Sequence, residues 1–222
     1  MTITLIIIVA VLAVFLGWIL SQSFNVRPWV AAGPSASTQD QLPPFFTAPR
    51  VGIAVFLAAV SSLFGLTISA YNMRMGIGDD WMSVPAPDLM WFNTAALVAG
   101  SVAFHWAWRA AARDNGVVLR RGLWAGGICT LLFVVGQYIV WLELHGAGYY
   151  LTTNPANSFF YLVTALHALH LIGGLGVWAY TMNRARRGES PQQLRTSIEL
   201  CTVYWHYLLV LWAVLFGLLL ST

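Results

Sequence analysis

Charged residues divide the chain into six long uncharged stretches, separated by short polar segments. A helix that crosses the hydrocarbon core of a membrane needs about 20 predominantly apolar residues, because all its backbone polar groups must be paired internally. The pattern therefore predicts an all-α, polytopic integral membrane helix bundle with six transmembrane helices. The predicted spans, numbered one to six, are Ile3–Leu20, Val51–Met73, Leu89–Trp108, Gly122–Leu142, about Ser158–Met182, and Leu200–Thr222.

Span one is separated from the others by an unusual connection. Residues 1–21 are interpreted as an additional N-terminal transmembrane helix and not as a secretion signal, because no positive start or small-residue cleavage pattern accompanies the apolar run. Residues 22–49 are rich in Pro, Ser and Gln and predict an irregular connection. Residues 50–222 then form a predicted five-helix membrane bundle.

The positions of arginine indicate the orientation. Ten of the eleven arginines fall in the connections after spans one, three and five. Only Arg74, which follows span two, lies on the other side of the membrane. Cytoplasmic connections carry an excess of basic residues. The sequence therefore predicts that those three connections are cytoplasmic and that both termini lie outside.

The amino-acid composition supports a membrane protein and excludes several other classes of protein. The 222 residues are 59% hydrophobic and 9% charged, against about 25% charged in a typical soluble domain. A formal net charge of +3, spread along the chain, does not indicate a nucleic-acid-binding face. Cys129 and Cys201 lie in apolar stretches without a CxxC pattern, so they are interpreted as packing residues.

Ionisable side chains within the spans are the candidates for chemistry. The carboxylates Asp88 and Glu143 fall at span ends, which disfavours a proton relay made by this chain alone. His170 in span five and His206 in span six fall at similar depth, and two histidines on facing helices can hold a b-type haem or a metal ion. The other interpretation, which we favour, is that the histidines form hydrogen bonds between helices.

The favoured interpretation predicts a polar seam between spans five and six. Its members are Thr164, His167, His170, Glu199, Tyr204 and His206. A second polar group follows span two, where Arg74 is expected to form an ion pair with Asp79 or Asp80.

Four segments carry a resemblance to a known family. The run SFFYLVTALHALHLIGG in span five and ELCTVYWHYLLVLW in span six resemble signatures of subunit III of the haem-copper terminal oxidases. LMWFNTAALVAGSVAFHWA in span three and RVGIAVFL at the start of span two resemble further motifs of that family. The matching positions that we expect to serve in helix packing are Arg50, Gly52, Asn93, Thr94, Trp106, Gly173, Trp205 and Trp212.

The resemblance implies a function without a catalytic centre in this chain. It implies an accessory subunit of a bacterial cytochrome c oxidase in the inner membrane, docked on subunit I beside subunit II and possible small subunits. Haem and copper belong to the partner subunits, and this chain is expected to bind phospholipid and to support proton uptake. Val60 stands where the family has an intramembrane glutamate, so the role of that carboxylate does not carry over.

Two other functions remain open from the sequence. One is a related subunit that accompanies nitric oxide reductase. The other is a free-standing membrane b-type haem protein that uses His170 and His206. No catalytic, cofactor-binding or metal-binding residue is expected in the accessory-subunit interpretation.

Overall fold

The computed structural model describes residues 48–77 and 80–221, which contain five long α-helices. These are α1 Ala48–Met75, α2 Leu89–Ala112, α3 Gly116–Gly146, α4 Pro155–Arg186 and α5 Pro191–Leu220. They correspond to predicted spans two to six, and the all-α prediction is confirmed. The predicted helix in residues 1–21, and the connection at 22–49 apart from its last two residues, lie outside the described residues.

Polar caps set where three of the helices begin. The Asn115 side chain accepts a hydrogen bond from Val118 N at 3.1 Å before α3. Asn154 does the same for Ala156 N at 3.0 Å before α4, and Ser190 forms a capping box with Gln193 before α5. Such side chains satisfy backbone N–H groups that have no partner in the first turn. These three helices therefore start in the polar segments before the uncharged stretches, and α3 and α4 also end beyond those stretches.

Helices α2 and α3 form the most closely packed pair. A Cβ added at Gly122 would lie 2.9 Å from the backbone oxygen of Ala103. Only glycine permits this approach, since the obstacle is backbone and cannot rotate away. Helix α2 also packs against α5, and the circuit continues from α5 to α4 and from α4 to α3.

Helix α1 lies at the edge of this four-helix group, against α4 and α5. Its buried side chains are Val60, Phe64 and Tyr71. Only 11% of its most apolar stretch is buried. Helix α1 therefore exposes most of its apolar surface in the isolated chain.

Four of the five described helices, α1, α3, α4 and α5, are long and apolar enough to cross a membrane. Helix α2 carries Asn93, Thr94, Ser101 and His105, whose polar side chains lower its hydropathy. The structure thus supports a multi-pass membrane protein. Large apolar side chains such as Leu66, Leu169 and Val210 are exposed on its surface, as expected where lipid is the solvent.

Candidate functional site

Three indole–hydroxyl hydrogen bonds connect the four central helices. The indole nitrogen of Trp205 donates to Thr130 at 2.8 Å, that of Trp212 donates to Thr94 at 2.9 Å, and that of Trp141 donates to Thr164 at 3.0 Å. Each threonine hydroxyl in turn donates to a carbonyl oxygen four residues earlier in its own helix. Every donor in this arrangement is satisfied without water, which suits a bundle interior in a membrane.

A buried polar layer lies beside the Trp212–Thr94 bond. It consists of Asn93, Gln137 and His167, which are each at most 1% exposed. His167 packs between the rings of Phe133 and Trp212, with centroids 5.6 and 5.1 Å away. Within residues 48–77 and 80–221, no hydrogen-bond partner is found for the amide atoms of Asn93 and Gln137 or for either ring nitrogen of His167.

A second polar group faces α1. The hydroxyl of Tyr204 donates to the carbonyl oxygen of His170 at 2.9 Å. His170 Nδ1 lies 2.7 Å from the carbonyl oxygen of Leu166, which can only accept, so Nδ1 carries the proton. The His170 ring packs against Phe64 at 5.5 Å between centroids.

An apolar cavity of about 510 Å³ lies between α1, α4 and α5 next to this group. Gly52 and Gly173 line it, and a Cβ added at either would meet no atom within 4 Å. The structure therefore differs from the expectation that these two glycines serve in helix packing, because the backbones beside them stay apart. The small residues leave space instead of close contact.

An ion pair joins α1 to α5 close to this cavity. Arg50 Nη2 lies 2.9 Å from Glu199 Oε1 and donates to Oε2 at 3.0 Å. The sequence interpretation assigned Glu199 to a seam with the histidines and missed Arg50 as its partner. The available signal was that opposite charges begin spans two and six on the same predicted side of the membrane.

His206 belongs to a separate group on the α2 side of α5. Its Nδ1 lies 2.7 Å from Ser101 Oγ, and its ring stacks on His105 at 5.7 Å between centroids. Tyr204 and His206 are two residues apart, about 200° around a helix with 3.6 residues per turn. They therefore point to different neighbours, and the predicted seam is divided into separate groups.

The arrangement does not fit a haem held by His170 and His206. His170 faces the cavity beside α1, whereas His206 contacts α2. In the part of the chain that the structure describes, no group of three or more His, Cys, Asp or Glu side chains is placed to hold a metal ion.

Two loop ion pairs fix the ends of the bundle. Arg74 Nη2 donates to both oxygens of Asp80, at 2.9 and 2.6 Å, and lowers the pKa of that carboxyl below its usual value of 3.8. Asp79, the other predicted partner, lies outside the described residues. After α4, Arg184 donates to Glu189 and lowers the pKa of that carboxyl in the same way.

Comparison with known sequences identifies the family. The sequence model described as Cytochrome c oxidase subunit III matches residues 51–220, which include nearly all of the five helices. The chain belongs to the cytochrome c oxidase subunit III family. The resemblance found in the four motifs is confirmed.

Two relatives of this chain match over most of their length, and a third is a much longer protein. Cytochrome c oxidase subunit 3 of Thermostichus vulcanus is 30% identical over 178 residues, covering 76% of this chain and 85% of the relative. Probable cytochrome c oxidase subunit 3 of Mycobacterium tuberculosis is 30% identical over 172 residues, covering 75% and 84%. Heme-copper oxidase subunit I+III of Aeropyrum pernix is 26% identical over 179 residues, covering 76% of this chain and 22% of that protein.

The subunit III motif residues occupy several kinds of position. Trp205, Trp212 and Thr94 take part in the indole–hydroxyl bonds, and Arg50 forms the ion pair to α5. Asn93 lies in the buried polar layer. Trp106 is 64% exposed and points out of the chain, unlike the packing role expected for it.

Proposed function

We propose that this chain is an accessory subunit of a bacterial respiratory terminal oxidase that reduces dioxygen to water with electrons from cytochrome c. It carries no redox cofactor itself, and haem and copper reside in the partner subunits. The observation that carries this proposal is the family match over residues 51–220. The described side chains offer hydrogen bonds and apolar packing, which suits a supporting subunit.

The membrane arrangement is part of the proposal. The chain crosses the bacterial inner membrane six times, with both termini outside. Helix α2 crosses the membrane alongside α3, because the two helices pack closely as an antiparallel hairpin. The turns after α2 and α4, together with the helix ends that flank them, carry eight of the ten described arginines and face the cytoplasm, whereas Arg74 lies at the outer end of α1.

Subunit I is the main proposed partner, with subunit II and small subunits as further partners. The name of the Aeropyrum relative, subunit I+III, joins the two subunits in one protein and supports their association. The exposed apolar surface provides area for a partner and for phospholipid. By this contact the chain stabilises the catalytic subunit and supports proton uptake there. Val60 is buried and apolar, so this support does not use a carboxylate at that position.

Co-purification tests the proposed partners. The chain carries a C-terminal tag, is extracted from its own membranes in mild detergent, and the recovered polypeptides are identified by mass spectrometry. We expect a large multi-span haem-copper subunit and a copper-binding subunit II. Recovery of nitric oxide reductase polypeptides, or of the chain alone, would overturn the proposal.

A further inference from the structure

A basic groove opens between α3 and α4 at the cytoplasmic end of the bundle. Its volume is about 430 Å³, and it is lined by Val117, Arg120, Arg121, Trp124 and Arg186. The Arg186 guanidinium lies over the Trp124 ring, 5.3 Å from its centroid. Three cations therefore converge on one concavity that has an aromatic wall.

The wall of the groove is held in place from the bundle side. Trp124 makes an edge contact with Trp178, with ring centroids 6.1 Å apart. The indole nitrogen of Trp178 donates to the carbonyl oxygen of Leu123 at 2.7 Å. The position of Trp124, and of the arginine above it, is thus supported by the α3–α4 contact.

The cations of the groove form no ion pair within the described part of the chain. Across residues 48–77 and 80–221, the ion pairs are Arg50–Glu199, Arg74–Asp80 and Arg184–Glu189, and none includes Arg120, Arg121 or Arg186. Like charges brought together repel one another unless an anion lies between them. Arginine is well suited to such an anion, since its planar fork can bind phosphate through two N–H groups.

The surface next to the groove is apolar. Ile128, Leu131 and Leu132 follow Trp124 along α3, and each is close to half exposed. Val135 lies 14 residues beyond Arg121, about 21 Å along the helix. There a second cavity of about 430 Å³ opens between the same two helices, lined mostly by apolar side chains such as Val134, Val135 and Ala168, together with Gln137.

We propose that the Arg120–Arg121–Arg186 groove binds the phosphate of an anionic phospholipid, whose acyl chains lie along the seam between α3 and α4. The basic groove, with the aromatic residue at its wall, fits the phosphate of such a lipid. The apolar track fits its acyl chains. Basic pockets between helices on the cytoplasmic side bind anionic headgroups. The inference rests on the transmembrane arrangement proposed above.

The test measures lipid retained by the full chain in its native complex. The complex is exchanged into nanodiscs of phosphatidylcholine containing a minor fraction of phosphatidylglycerol, and the bound lipid is then quantified by mass spectrometry. Replacing all three arginines by glutamine should weaken phosphatidylglycerol binding about fivefold per residue. Replacement by lysine should restore most of the binding, because the charge is kept.

Arg195 provides the matched control. It is exposed at the start of α5, lies on the same proposed side of the membrane, and does not line the groove. Arg195→Gln should leave phosphatidylglycerol retention unchanged. Equal retention by the triple glutamine variant and the native chain would overturn the proposal. Displacement of the bound lipid by inorganic phosphate, without preference for the lipid, would also overturn it by assigning the groove to a free anion.

The same samples separate this proposal from the proposed function. The co-purified subunits are counted alongside the lipid in every variant. If a variant loses phosphatidylglycerol while all oxidase subunits are recovered, the result supports the lipid site in the groove and leaves the proposed function unaffected. Binding of phosphatidylglycerol by a chain that recovers no oxidase subunit would contradict the proposed function and leave the groove supported.

Discussion

The indole nitrogen of Trp205 on α5 lies 2.8 Å from the hydroxyl oxygen of Thr130 on α3, and both residues are almost fully buried. The Thr130 hydroxyl donates its own proton to the Gly126 carbonyl oxygen. A single side-chain pair thereby joins two helices that are distant in sequence. The same arrangement recurs at Trp212–Thr94 and Trp141–Thr164, so it provides a repeated directional contact in an otherwise apolar bundle.

Removal of both members of this pair should destabilise the bundle by less than the sum of the two single removals. Thr130→Val leaves the Trp205 indole N–H buried without a partner, which costs about 1–3 kcal/mol. Trp205→Phe leaves Thr130 bonded to Gly126, so the double variant should cost less than the sum of the single ones. Unfolding in a denaturing-detergent titration measures all three free energies.

The control for this cycle is Trp106→Phe, at an exposed tryptophan that points out of the chain. It should change the unfolding free energy little. Strict additivity of Thr130→Val and Trp205→Phe would contradict a coupling through the hydrogen bond. Interhelical hydrogen bonds in membranes are worth about 0.6 kcal/mol on average and rarely more than about 1.7 kcal/mol.

The close approach of α2 and α3 depends on Gly122. Gly122→Ala places a Cβ 2.9 Å from a backbone oxygen, so the helices must separate, at a cost of about 1–3 kcal/mol. The control is Gly176→Ala on α4, where the added Cβ meets no atom within 4 Å. This variant should be neutral or stabilising by up to about 1 kcal/mol, because alanine has the higher helix propensity. Equal unfolding free energies for the two variants would contradict the packing described for the hairpin.

The Arg50–Glu199 ion pair should hold the N-terminal end of α1 against α5. Glu199→Gln should increase hydrogen exchange in the first turns of α1, and the exchanged pair Arg50→Glu with Glu199→Arg should partly restore protection. The pair is about one third exposed, so the expected cost is below about 1 kcal/mol. Asp80→Asn, at the opposite end of α1, is the control. Unchanged exchange in Glu199→Gln would show that the ion pair does not hold the start of α1.

The loop between α1 and α2 should show a pH dependence from Asp80. Its pKa is lower in the folded chain than the usual 3.8, because Arg74 donates to it, so the folded state binds fewer protons. The stabilisation is present above about pH 4 and is lost as the pH falls through the lowered pKa. Thermal unfolding of native protein and Asp80→Asn should therefore differ at neutral pH and converge in acid. A difference that is constant with pH would contradict the ion pair.

The sequence predicted where helices lie better than which way they face. The uncharged stretches located spans two to six because charges cannot remain in hydrocarbon, and each corresponds to one of the five helices. The helices extend further, since caps such as Asn115 and Asn154 begin in the polar segments. The rotation of each helix could not be predicted, because a helix that is apolar all round has no polar face to mark its outer side.

The candidate site shows the same limit. The sequence selected the polar residues of spans five and six, yet it could not assign partners to Glu199 or His206. Their partners, Arg50 and Ser101, lie more than 100 residues away along the chain. Helix periodicity placed Tyr204 and His206 on different faces, which separated residues that sequence proximity had grouped together.

Oxygen consumption by membranes tests the central claim most directly. The gene for this chain is removed from its host and then restored, and oxygen uptake is followed with ascorbate and a redox mediator as the electron supply. If the chain is an accessory subunit, membranes without it should begin to reduce oxygen at a normal rate per haem-copper centre and then lose activity sooner during turnover. Complete loss of the initial rate with the haem-copper centres still assembled, or an unchanged lifetime, would contradict the account.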